Sequence, residues 1–288
     1  MGWAFRLGVA FLAFGPVAAG AGGLPSYTQP GARTAVQDAG PEAARKLTAR
    51  EVIGRLFKAA PQSRPDLETL NLARLDLAEL DFKHARLDGT DLYGADLSRA
   101  KLTGCSLVGA RLDRATITAA DFSGADLTDA RMLRPTIFTT LEIVTLEAPR
   151  FVGAKLVRIR SDGWLDRADF SEADLTGAVF GGGATREESL FSPATLTSTN
   201  FTRAIVREAK FPGASLKYAR FIDADARDAN FRGADLTGAR FQGANLAGAD
   251  MTGANLDEAD FRGARGLDQV IGLASARNAD RAFRDAGP

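Results

Sequence analysis

Large apolar residues recur every five positions along most of the chain, which matches neither the 3.6-residue period of a helix nor the two-residue period of a strand. We call each large apolar residue the centre of a five-residue unit. Fifteen consecutive centres run from Leu67 to Ile137, and another fifteen run from Phe191 to Phe261. A small residue, usually Ala, lies two positions before each centre, and the other positions of each unit are mostly polar. If each five-residue unit forms a short extended side that ends in a corner, the centre and the small residue of the unit both point inward. The repeat therefore predicts a solenoid.

Residues twenty apart match better than residues five or ten apart, which predicts four sides in each coil. In the C-terminal run the centres separate into two aromatic classes and a leucine class. Stacked rings and matched side chains on successive coils stabilise each other, so we expect each class to form a ladder in the core. About thirty-seven units at four per coil would make about nine coils. The predicted ladders are Phe191, Phe211 and Phe231; Phe201, Phe221, Phe241 and Phe261; and Leu196, Leu216, Leu236 and Leu256.

The segment before the repeat divides into three parts. Residues 1–21 carry one basic residue, an uncharged apolar core and then small residues, which is typical of a signal peptide. A short membrane anchor is the alternative, but the apolar core of about 14 residues falls short of the ~20 that a spanning helix needs. Residues 22–47 are rich in Gly, Pro and Ala and predict a flexible linker. Thr48 and Glu51 form a capping-box pattern, which predicts an N-terminal capping helix over residues 48–60.

The repeat itself covers residues 64–263, and its register slips in three places. We expect irregular insertions near residues 138–147, 157–164 and 181–190. The open ends of a solenoid expose unpaired backbone and apolar cross-section, so both ends need caps. Residues 264–288 are therefore predicted to form a short α-helical C-terminal cap and a tail.

Composition leaves little material for catalysis. Lys plus Arg equals Asp plus Glu, at 36 each, so the chain lacks both the basic surplus of a nucleic-acid binder and the acidic surplus of a DNA mimic. Its single histidine, His84, and single cysteine, Cys105, allow neither an internal disulfide nor a Cys/His zinc site. We expect no catalytic, cofactor-binding or metal-binding residues, and no cofactor.

The units "ADLTG", "ANLAG" and "ADFRG" follow the pattern A-[DN]-[LF]-x-x and resemble the pentapeptide repeat family. The resemblance implies an all-β solenoid, a right-handed quadrilateral β-helix, to which the two ends of the repeat add the short α-helical caps predicted above. Some family members dimerise through a C-terminal helix, which leaves a homodimer open here. Others bind type II topoisomerase by imitating the charge of DNA, and this is the alternative function. The balanced charge and the predicted signal peptide disfavour it.

Function is expected where the repeat is interrupted, because loops on a regular scaffold carry specificity. Trp164, with Arg158 and Arg160 nearby, is the candidate partner contact, since Trp and Arg are common in binding hot spots. In a second interpretation Trp164 fills a misregistered coil. We expect an exported, non-enzymatic solenoid that acts in the periplasm or outside the cell as a protein-protein interaction or envelope scaffold. It would bind no nucleic acid and would have no stable membrane span after cleavage.

Overall fold

The computed structural model describes residues 46–60, 63–137, 148–181 and 193–285 of the chain. The predicted signal peptide, nearly all of the predicted linker and the ladder residue Phe191 lie outside the described residues. So do the first predicted insertion and almost all of the third.

One α-helix precedes the coils. Helix α1 spans Ala49–Lys58, and Thr48 and Glu51 form the predicted capping box at its N-terminus. Val52 and Leu56 are buried and belong to the same apolar core as the coil centres. The buried side of the helix therefore packs against the apolar core of the coils, as its amphipathic pattern predicts.

In the two regular runs, parallel bridges pair each pentapeptide with the one twenty residues later. At most corners the carbonyl of a centre accepts the N–H three residues on, as from Ala85 N to Phe82 O over 2.9 Å. The residue before this donor adopts a left-handed backbone at most corners, which is the position where glycine is favoured. The coils thus have four faces, which we number by their first bridged residue within the repeat: face 1 from Asp66, face 2 from Asn71, face 3 from Asp76 and face 4 from Asp81.

On face 2 the pairing widens into three two-residue strands. They form a parallel sheet in chain order, with one strand from each of three successive coils. These strands are β1 (Arg131–Met132), β2 (Arg160–Ser161) and β3 (Val179–Phe180).

The spacing between paired residues departs from twenty around the middle of the rod. It is 29 residues from Asp121 to Arg150 and 31 residues from Trp164 to Thr195. Near residues 157–164, however, the structure contains no insertion. The paired residues of this coil are 19 apart, because the corner between faces 2 and 3 is one residue shorter than elsewhere.

Phenylalanine rings form a continuous stack inside face 4. Their planes lie within 7° of parallel, and neighbouring centroids are 4.7 to 5.3 Å apart. The stack passes through both longer spacings, so the core keeps its register where the surface does not. A shorter Phe ladder of Phe180, Phe211 and Phe231 lines the opposite face 2, so Phe180 occupies the place next to Phe211 that the sequence predicted for Phe191. The predicted Leu ladder lines face 3. The members of the long stack are Phe122, Phe151, Phe170, Phe201, Phe221, Phe241 and Phe261.

The C-terminal segment differs from the predicted α-helical cap. It contains two 3₁₀ helices, Leu267–Gln269 and Leu273–Ser275, and it stays paired with the last coil as far as Phe283. Gly266 and Gly272 precede these helices with left-handed φ of 72° and 73°, which interrupts any continuous α-helix. This segment therefore forms a widened coil in place of the predicted α-helix.

Candidate interaction surface

Charges balance over the whole chain but not on face 2. Between Asn71 and Gly163, this face and its corner toward face 3 present six exposed arginines and three aspartates, a surplus of three positive charges. Two of these aspartates, Asp113 and Asp162, are buried. The accessible surface is therefore basic. We call its six arginines the arginine surface: Arg74, Arg111, Arg114, Arg131, Arg134 and Arg160.

Buried Asp113 holds two arginines of successive coils in place. Its Oδ2 accepts from Arg111 Nε over 3.0 Å and from Arg131 Nε over 2.8 Å, and its Oδ1 accepts the Leu133 N–H over 3.0 Å. Arg111 also lies over the ring of Tyr93, with Cζ 4.5 Å from the centroid. Charge-assisted bonds and a cation–π contact thus orient the two guanidinium groups in advance of any ligand.

The coil that starts at Arg150 exchanges large and small inward residues on face 2. Ile159 occupies the small position and Ser161 the centre, and both are buried. Ser161 lies between Met132 and Phe180 in the three-stranded sheet. Its Oγ is buried and has no hydrogen-bond partner among the described residues. The exchange keeps a comparable inward volume while the repeat pattern of the sequence is lost.

The short corner after Ser161 forms a cleft. Asp162 Oδ1 accepts the Arg134 N–H over 2.7 Å. Gly163 packs beneath Pro135, where a Cβ on residue 163 would lie 2.2 Å from the proline Cδ, so any side chain there would force the corner apart. These four residues and Trp164 line a cleft of about 250 Å³.

Trp164 lies on face 3 at the edge of this cleft and pairs with Thr195 of the next coil. Its side chain is 73% exposed. The interpretation that Trp164 fills a misregistered coil is therefore wrong. A large aromatic side chain left open to water beside a cation is a feature of binding surfaces.

The two other candidate contact residues do not line the cleft. Arg158, at the corner between faces 1 and 2, donates from Nε and Nη2 to the two carboxylate oxygens of Asp129, each over 2.6 Å. Hydrogen bonding from Arg158 lowers the pKa of Asp129. Arg160 lies on face 2, paired with Arg131. The three residues thus share one coil but are distributed over two faces and a corner.

The residues singled out for chemistry have structural surroundings. Burial raises the pKa of the Cys105 thiol to about 12, so the thiolate nucleophile is scarce near neutral pH. His84 is an exposed corner residue whose ring lies against Gly104 of the next coil. Within the described ranges no group of His, Cys, Asp and Glu is placed to hold a metal ion. No helix in the same ranges is long and apolar enough to cross a membrane.

The model of the pentapeptide repeats family matches both regular runs, with 8 copies over residues 66–104, 95–132, 194–233 and 229–265. These coils belong to the pentapeptide repeat family. The predicted family is thus confirmed, and its members form right-handed quadrilateral β-helices. None of the matched ranges includes the cleft residues.

Three solved pentapeptide repeat structures are similar to this one. HetL of the cyanobacterium Nostoc sp. strain PCC 7120, a protein involved in heterocyst differentiation regulation, is 22% identical over 82% of this chain and 94% of its own, with a TM-score of 0.41. QnrB1, a plasmid-mediated fluoroquinolone resistance protein, is 19% identical in a trypsin-treated form, covering 77% of this chain and 92% of its own at a TM-score of 0.35. A thylakoid-lumen protein of Arabidopsis thaliana is 25% identical over 37% of this chain and 68% of its own, with a TM-score of 0.26. No curated protein matches the sequence.

Sequence reasoning selected Trp164 within this pentapeptide repeat chain but missed Arg114, Arg134 and Asp162. The two arginines are twenty residues apart, so the same rule that predicted the ladders also places them at one corner of successive coils. Asp162 could not be found in this way, because the shorter corner displaces it from the regular pattern.

Proposed function

We propose that this chain is an exported, non-enzymatic pentapeptide repeat solenoid that binds another protein or a component of the cell envelope through its irregular middle. The observation that carries the proposal is Trp164, 73% exposed beside Arg134 at the one described corner that is a residue short. Covering such a ring gains far more free energy than covering an average surface residue. Pentapeptide repeat proteins are generally structural or interaction proteins, which is consistent with this proposal.

Contact through the cleft is tested by photo-crosslinking in cells that make the full chain. p-Benzoylphenylalanine replaces Trp164 in one variant and Tyr218 in the control variant. Tyr218 is also an exposed aromatic residue, at 55%, but it lies at a corner between face 3 and face 4 and outside the cleft. We expect a discrete crosslinked partner from position 164 and none from position 218. Equal products from both positions, or none from either, would contradict the proposal.

Export is tested separately by fractionating the same cells and determining the N-terminus of the chain by mass spectrometry. We expect a mature protein that begins near Gly22 in the exported fraction, because the apolar segment before it has the length and flanking residues of a cleaved signal. A chain that retains Met1 and fractionates with cytosolic enzymes would contradict the export part of the proposal.

A further inference from the structure

We propose that the arginine surface and the Trp164 cleft together bind an acidic segment of a protein partner. This inference rests on the proposed function and specifies the chemistry of the partner. It draws on three properties of the surface: the position of its arginines, the hydrogen-bond donors of Arg114 and Arg134, and the size and composition of the cleft.

The arginine surface and the cleft share a border. Arg134 belongs to both, since it lies at the corner between face 2 and face 3 and lines the cleft. Arg114 occupies the equivalent corner one coil earlier, and its N–H donates to Leu133 O over 2.7 Å. Arg131 lies on face 2 of the same coil as Arg134. A ligand seated against Trp164 therefore has guanidinium groups from two coils along one edge.

The two corner arginines keep donors available for a ligand. Arg114 forms no ion pair within the described parts of the chain, and its side chain is exposed. Arg134 forms an ion pair with Asp162, but its Nε lies 3.9 Å from Asp162 Oδ2, too far for a hydrogen bond. Guanidinium groups bind carboxylates through two parallel hydrogen bonds, which makes an acidic side chain the matching partner.

The size of the charge surplus favours a protein segment over a polyanion. A nucleic acid presents one negative charge per ~1.7 Å of duplex axis and selects surfaces with a large basic excess, whereas this face has a surplus of three. The cleft of about 250 Å³ has the scale of a single side chain. Its Trp164 and Pro135 walls would contact an aromatic or aliphatic side chain. A segment with carboxylates on both sides of such a residue fits both features.

The test uses the full chain with Trp3→Phe, which leaves Trp164 as its sole tryptophan. The probe is the peptide Asp-Glu-Glu-Phe-Glu-Glu-Asp-amide with fluorescein on its N-terminus, and the matched peptide carries Asn and Gln in place of the acids. Fluorescence anisotropy measures binding, and the emission of Trp164, followed with unlabelled peptide, reports occupancy of the cleft. We expect saturable binding of the acidic peptide, at least tenfold tighter than that of the neutral one and weakened by salt.

Two variants locate the binding, and one serves as the control. Arg114→Glu with Arg134→Glu, and separately Trp164→Thr, should each weaken binding at least tenfold. Glu79 already holds a left-handed corner, with φ of 61°, so Glu is compatible with that backbone. Arg220→Glu with Arg240→Glu makes the same change of charge on face 4, opposite the arginine surface, and should leave binding unchanged. Circular dichroism verifies that all three variants are folded.

Several outcomes would overturn the inference. The neutral peptide could bind as well as the acidic one, or the face 4 control could lose as much affinity as the corner variant. Binding of a 20-nucleotide single-stranded DNA or of phosphatidylglycerol vesicles without binding of the peptide would also overturn it. If crosslinking at position 164 captures a partner but the acidic probe fails, the proposed function stands and this inference falls. If the probe binds but no partner is captured, the inference stands and the proposed function fails.

Discussion

At the scale of the residue, Ser161 is the centre at which the repeat pattern is interrupted, and Ile159 supplies the large apolar side chain instead. Its hydroxyl is buried without a hydrogen-bond partner in the described structure, and losing hydration without such a bond lowers stability. We predict that Ser161→Ala raises the free energy of unfolding by about 1 kcal/mol, measured by urea denaturation. Thr90→Ala is the control, and its expected change in stability has the opposite sign. It should lower the free energy of unfolding, because Thr90 Oγ1 donates to Leu67 O over 2.8 Å. A less stable Ser161→Ala variant would show that lost packing outweighs the removed hydroxyl.

Asp225 links stability to pH. Arg227 Nε donates to its Oδ1 over 2.9 Å and Arg207 Nε to its Oδ2 over 2.6 Å. Hydrogen bonding from Arg227, supported by Arg207, holds the pKa of Asp225 well below its ordinary value of 3.8. A carboxyl whose pKa is lower in the folded state stabilises the fold above its unfolded pKa, and this stabilisation is lost as pH falls toward the folded pKa.

We therefore predict that Asp225→Asn lowers the free energy of unfolding at pH 6 and makes its decline below pH 4 shallower than in the parent chain. Urea denaturation at a series of pH values measures both effects. They should be modest, because the arginine partners are substantially exposed. Asp228→Asn on the same coil makes the same change of charge and is the control. Parallel pH profiles for the Asp225→Asn variant and the parent chain would contradict the prediction.

At the scale of the element, the phenylalanine stack should dominate stability. Phe221 lies between Phe201 and Phe241, with centroids 4.7 and 4.9 Å away. We predict that Phe221→Ala lowers the free energy of unfolding by about 4 kcal/mol and Phe221→Leu by about 1.5 kcal/mol. Leu should cost less because Leu102 already occupies the equivalent place in an earlier coil. Chemical denaturation of the two variants measures the difference, and equal losses would show that the stacked ring itself contributes little.

The same elements show what the sequence could predict. Phe201 and Phe221 could be assigned to one ladder because a twenty-residue recurrence fixes which inward positions meet. The continuation of that stack through Phe151 could not, since the spacings of 29 and 19 residues on its two sides break the recurrence. Trp164 could not be placed either, because a corner one residue short changes which positions face inward. At the C-terminus the apolar pattern resembles a helix, but left-handed Gly272 forbids one.

At the scale of the whole molecule, a neutral chain can still carry a charged face. The twenty-residue coil decides which charges become neighbours, so arginines that are distant in sequence collect on face 2 while the totals remain 36 and 36. Net charge therefore excludes a uniformly acidic or basic rod but says nothing about one face. A local basic surface of this kind acts over about a Debye length, ~8 Å at physiological salt, which suits a contact with one segment of a partner.

The rod should tolerate removal of the chain that lengthens one of its coils. Residues 182–192 account for the excess over twenty between Trp164 and Thr195. Rings on either side of this segment stack as elsewhere, with Phe170 and Phe201 centroids 5.3 Å apart. The two ends of the segment also lie together, since a Cβ on Gly181 would be 3.4 Å from the Pro193 Cα.

We predict that a variant without residues 182–192 unfolds cooperatively with a Tm within about 4 °C of the parent, because the shortened coil has the regular length and its core is unchanged. Thermal unfolding followed by circular dichroism measures this. Deletion of residues 228–238 removes the same number of residues from a regular run. Eleven is not a multiple of five, so this control should lose the inward register and the cooperative transition. If both deletions collapse alike, residues 182–192 support the coils, and the stacked core alone does not hold the two halves of the rod in register.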